Sequence, residues 1–150
     1  MCAAFKEVER LLTDWVREHP RSFPPIVLHL TDGESSDGNP VDGGRGIMNL
    51  ATNDGGVLLF NCHISSRSSG KIEYPSDASD LPDEFARALF EASSLLPASF
   101  CDAAVQLGVR VEQGARGFVF NADPSSVVQF YEIGTSLTGM VPHSWMDTSS

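Results

Sequence analysis

Residues 23–39, FPPIVLHLTDGESSDGN, constrain the fold more than any other stretch of the chain. Pro24 and Pro25 open it, and Ile26, Val27, Leu28 and Leu30 form a short apolar run. The run ends abruptly in Thr31, Asp32, Gly33, Glu34, Ser35 and Ser36. A segment this short and this apolar, bounded by proline and glycine, suits a central parallel strand better than a helix. In open α/β sheets ligands bind just beyond the carboxyl ends of such strands, and Asp32 stands at that position.

The surrounding periodicities fit that reading. In residues 3–18, Phe5, Val8, Leu11, Leu12, Trp15 and Val16 recur at helical spacing and predict an amphipathic helix that stops before Pro20. Residues 41–52 allow a short helix weakened by Gly43, Gly44 and Gly46, and residues 53–56 form a turn. The G-G-R-G cluster follows no strand and lacks the spacing of a nucleotide fingerprint. Residues 57–62 make a second buried strand, and residues 71–82 a polar surface loop. Residues 83–96 predict a helix with acidic residues at its positive end, and residues 100–107 a second, closed by Gly108. Residues 117–121 supply a third strand. Residues 125–133 form the last helix, capped by Asp123 or Ser125.

Composition narrows the class of partner. The 150 residues carry a formal net charge of -10, which disfavours a nucleic acid and favours cations. Three cysteines without C-x-x-C spacing suggest reduced thiols in a cytoplasmic protein rather than a disulfide framework or zinc knuckle. No apolar stretch is long enough to span a bilayer, and no secretory signal is present at the amino terminus, so no membrane association is expected.

The strings PPIVLHLTDGESSDG, DGGVLLFNCHIS and GARGFVFNAD, the last followed by a helix ending in IGT, occur in that order. Together they resemble the carboxyl-terminal half of a bacterial von Willebrand factor type A domain over residues 1–136. The resemblance implies a three-layer α/β fold, Rossmann-like, with a mostly parallel sheet and helices on both faces. Residues 137–150, beyond the stretch it covers, read as a loose tail. In that family a divalent cation such as Mg²⁺ is held by a D-x-S-x-S motif, a threonine loop and a T-D-G aspartate. Asp32 matches the last of these, and no D-x-S-x-S lies upstream. The chain is therefore expected to be an incomplete domain in which Met1 is an internal methionine, binding such a cation weakly at most.

Around Asp32, the residues Glu34, Ser35 and Asp37 are further candidate ligands, and Asp32 is otherwise a turn residue supporting Gly33. Cys62 and His63 tempt one towards a nucleophile and base, but neighbours on a strand point to opposite faces. The expected function is a non-catalytic protein-interaction module with an unidentified protein partner. The alternative is a metal-dependent hydrolase using Asp32 and Glu34 with His63. Finally, the strands at 25–31, 57–62 and 117–121 should lie side by side, leaving the first on an open edge through which the chain could self-associate.

Overall fold

The computed structural model describes residues 1–64 and 70–136. Its elements in chain order are α1 (Cys2–Glu18), β1 (Ile26–Thr31), α2 (Pro40–Met48), β2 (Ala51–Thr52), β3 (Gly55–Gly56) and β4 (Leu58–Ile64). They are followed by β5 (Ile72–Glu73), α3 (Glu84–Glu91), α4 (Ala98–Gln106), β6 (Phe118–Ala122) and α5 (Pro124–Gly134). The main sheet has the order β1-β4-β6-β5. The first three strands run parallel, in register Ile26 with Leu58 and Asn61 with Phe118, and β5 is antiparallel to β6. This is a mixed α/β fold of Rossmann-like kind.

Strand alternation sorts the side chains into two apolar layers. Ile26, Leu28 and Leu30 of β1 and Leu58, Phe60 and Cys62 of β4 pack with Phe100 and Ala104 of α4 and with Phe130 and Ile133 of α5. Val27 and Leu59 face the other way, onto Phe5 and Leu12 of α1 and Ile47 of α2. Phe118 and Phe120 of β6 meet Leu89 and Phe90 of α3 on that same face. Helices therefore cover both faces of the sheet, as expected. Among the described residues no helix is long and apolar enough to cross a membrane.

One buried polar group ties the layers together. Asn61 is wholly buried, and its side-chain amide donates to the Ser93 hydroxyl at 2.8 Å and the Ala92 carbonyl at 3.2 Å. Its Oδ1 accepts from His29 Nδ1 at 2.8 Å, since an amide oxygen can only accept. A polar side chain in this position is tolerable because each of its groups is satisfied.

Several expectations need correction. The stretch read as a surface loop over 71–82 contributes β5, whose Ile72 pairs with Phe120 and Glu73 with Val119. A two-residue strand shows no alternation, so only its non-local partner reveals it. The helix expected over 83–96 ends at Glu91, because the next residues bond elsewhere: Ser94 N–H donates to the Leu59 carbonyl and Leu59 N–H to Ser94 Oγ. The segment 41–52 splits into α2 and β2, and Gly55 and Gly56, read as part of a turn, form β3 of a small hairpin. The helix-weakening glycines of α2 have a packing reason. A Cβ on Gly43 would stand 2.9 Å from Phe5 Cβ, and one on Gly44 2.8 Å from Ala92 Cβ. Their absence lets α2 sit tightly between α1 and the end of α3. Of the two caps expected for α5, Asp123 is the one used, accepting from Ser126 N–H at 2.9 Å as expected. The expected tail over 137–150 lies outside the described residues.

Candidate functional site

Parallel strands β1, β4 and β6 end on the same side of the sheet, and a cavity of about 720 Å³ opens there. Asp32, Gly33 and Glu34 enter it from the end of β1, His63 and Ile64 from β4, Phe120 and Asn121 from β6, and Asp83 and Phe85 from the start of α3. The loop after β1 is held by Thr31, whose Oγ1 donates to the Gly33 carbonyl at 2.8 Å and accepts from Gly33 N–H at 3.3 Å. This local turn fixes where Asp32 leaves the strand.

A bulge shapes the opposite wall. Cys62 pairs with Val119 but Ile64 with Ala122, so His63 alone faces both Phe120 and Asn121. Asn121 takes the left-handed conformation, with φ +53°, which asparagine adopts more readily than most residues. Bulges of this kind re-aim side chains at the ends of strands. The His63 ring stacks on Phe120 at 4.6 Å between centroids and meets the edge of Phe85 at 5.7 Å. The Asn121 backbone N–H points at His63 Nδ1 from 3.4 Å. Burial between the two aromatic rings holds the imidazole below its ordinary range, against the opposing pull of Asn121 and of the Asp83 and Asp32 charges. At the other wall Asp83 caps α3, accepting from Ala86 N–H at 2.8 Å.

The four acidic-loop candidates separate. Asp32 and Glu34 line the cavity, with His63 across from them. Asp37 does not line it and serves the amino terminus of α1. It accepts from Ala3 N–H at 2.8 Å and Cys2 N–H at 2.9 Å, and the Met1 nitrogen lies 3.0 Å away. Those backbone amides hold its carboxyl far below the usual carboxylate range. Ser35 follows Asp37, donating to it at 2.9 Å, and lies 3.4 Å from Cys2 Sγ. No loop pattern marks Asp37 as a cap for a helix more than thirty residues earlier. No local pattern marks Asn121, Phe120 or Phe85 as site residues. Asp83 carried a local signal as the acidic residue before a helix, whereas the bulge at Asn121 exists only through its pairing with β4.

Among the described residues, the donors at this cavity fall short of the roughly six oxygens that a hard divalent cation wants. Asp37 and Ser35 are engaged with α1 and with each other, and among the described residues no three His, Cys, Asp or Glu side chains form a group that could hold a metal ion. Cys62 offers no nucleophile to the cavity. It points to the α4 and α5 face, is fully buried, and burial pushes its thiol up to about 12. The cavity therefore presents carboxylates, one neutral-leaning imidazole and two phenyl rings. Such a surface can accept hydrogen bonds and attract positive charge. No family model matches the chain, and neither a curated protein nor a solved structure matches it.

Proposed function

We propose that this chain is a non-catalytic binding module, similar to a von Willebrand factor type A domain, that recognises a protein partner through the loop face around Asp32. The observation that carries the reading is the place of Asp32 and Glu34, exposed at the carboxyl end of β1 on the rim of an open cavity shared with His63 and Asn121. That is where open α/β sheets take their ligands. Cation assistance is weak at most, because one aspartate and one glutamate leave most of a hard cation's coordination to water.

Calorimetric titration with Mg²⁺ or Mn²⁺ is expected to show no micromolar binding. A micromolar site that vanishes in Asp32→Ala would overturn that expectation. The binding reading itself is tested with a photo-crosslinker at Glu34 in extracts of the source cells. A recurrent protein partner should be lost in Asp32→Ala and kept in Asp54→Ala, which alters an exposed carboxylate in the β2–β3 turn. Equal capture by both variants would remove Asp32 from recognition.

A hydrolase remains the second reading, with Asp32 and Glu34 as acid and base rather than metal ligands, because His63 lines the same cavity. Turnover of generic ester or phosphate-ester substrates that His63→Gln abolishes in a folded chain would favour it over the binding module.

A further inference from the structure

Strand β1 lies at one end of the sheet order β1-β4-β6-β5. Leu58 N–H donates to the Pro25 carbonyl at 3.0 Å, and the register then runs Ile26 with Leu58 through Thr31 with His63. In a parallel ladder this fixes which backbone groups face β4: those of Pro25, Val27, His29 and Thr31. The amides and carbonyls of Ile26, Leu28 and Leu30 point outward. Among the described residues no strand lies beyond them, and all six residues of β1 are only half-buried. The far edge of the sheet is different. There β5 has only two residues, and Tyr74 after it takes a left-handed conformation with φ +49°, so the regular strand is too short to offer a comparable edge.

We infer that β1 pairs antiparallel with β1 of a second copy of this chain, with Leu28 on the two-fold axis. A strand whose outward groups sit at 26, 28 and 30 is self-complementary about residue 28. Ile26 faces Leu30 of the second copy, Leu28 faces Leu28, and Leu30 faces Ile26, each as a doubly hydrogen-bonded pair. Those side chains all belong to the α5 face of the sheet, where Leu28 touches Gly134, so every cross-strand pair there is apolar. On the α1 face the pairs are Val27 with His29.

The charges at the strand ends favour this orientation. Asp32 of each copy comes opposite Pro24 of the other, and the two Asp32 side chains lie about 26 Å apart at a rise of about 3.3 Å per residue. That is roughly three screening lengths at physiological ionic strength. A parallel pairing would set them side by side. The product is one continuous sheet in which the two cavities open at opposite ends, so each copy keeps its own Asp32 face free. The pairing does not depend on what that face binds. With -10 on each chain, added salt strengthens it.

Hydrogen exchange on the unmodified chain, followed by NMR from micromolar to millimolar concentration alongside sedimentation, tests the pairing. The amides of Ile26, Leu28 and Leu30 should gain about tenfold protection or more as a dimer forms, while Val27, His29 and Thr31 are protected throughout. Leu28→Lys, which sets two ammonium groups together on the axis, should abolish the dimer in a chain whose circular dichroism is unchanged. A monomer at every concentration, a dimer in which the three amides exchange freely, or protection that is independent of concentration would each overturn the inference. The last result would place a segment of the same chain on the edge.

Discussion

Gly117 is the position at which one added methyl group should cost most. It precedes β6, the strand that brings Phe120 and Asn121 to the cavity, and its backbone is pinned on both sides. Its N–H donates to the Ser94 carbonyl at 2.9 Å, and its carbonyl accepts from Asn61 N–H at 2.8 Å. A Cβ there would lie 2.1 Å from Phe60 Cδ1 and 2.6 Å from Cγ. Phe60 is 1% exposed and packs edge-on against Phe100 at 5.3 Å, so its ring has nowhere to retreat. Overpacking of this kind costs about 1–3 kcal/mol, and the loss of glycine's freedom in the unfolded chain returns at most about 1 kcal/mol. We therefore expect Gly117→Ala to destabilise by about 2 kcal/mol, which lowers Tm by about 4–8 °C in a chain of this size. The assay is chemical and thermal unfolding of Gly117→Ala, Phe60→Leu and the double variant. Phe60→Leu alone should cost about 1–2 kcal/mol. If the clash with the ring is the cause, the double variant is less destabilised than the sum by about 1 kcal/mol or more. Strict additivity would refute the steric account, and an unchanged Gly117→Ala would show that β6 shifts freely.

Tyr74 is 4% exposed and its hydroxyl is buried without a hydrogen-bond partner among the described residues, so Tyr74→Phe should leave the fold intact and raise stability by about 1 kcal/mol in urea unfolding. A loss of stability instead would reveal a partner for that hydroxyl. His29 and His63 are both held below their ordinary value of 6.5, chiefly by burial. The unfolded chain therefore takes up protons first as the medium is acidified. The stability they contribute is complete above about pH 6.5 and is lost as pH falls towards their folded values. Urea midpoints should drop between about pH 7 and about pH 5, before the carboxylates titrate, and His29→Gln with His63→Gln should flatten that slope. A midpoint that is level across this range in the unmodified chain would contradict the burial of both rings.

Much of the architecture was legible from local pattern. The helical spacing from Phe5 to Val16, the short apolar runs around Leu28 and Leu59, and the acidic residues ahead of α3 and α5 each report an element through neighbours in sequence. The position of Asp32 at the end of the first strand was legible for the same reason, because a strand bounded by Pro24 and Gly33 has an unambiguous end. Tertiary structure decided what depends on distant partners. It assigned Asp37 to the start of α1, ended α3 at Glu91 by drawing Ser94 onto Leu59, and made β5 a strand by pairing it with β6. It also gathered Asp32, His63, Asn121 and Asp83 around one cavity through a bulge that no single strand encodes. Periodicity records which face of an element is buried. Which group meets which is set only when the chain closes, by the requirement that each buried polar group find a partner and each apolar face a neighbour.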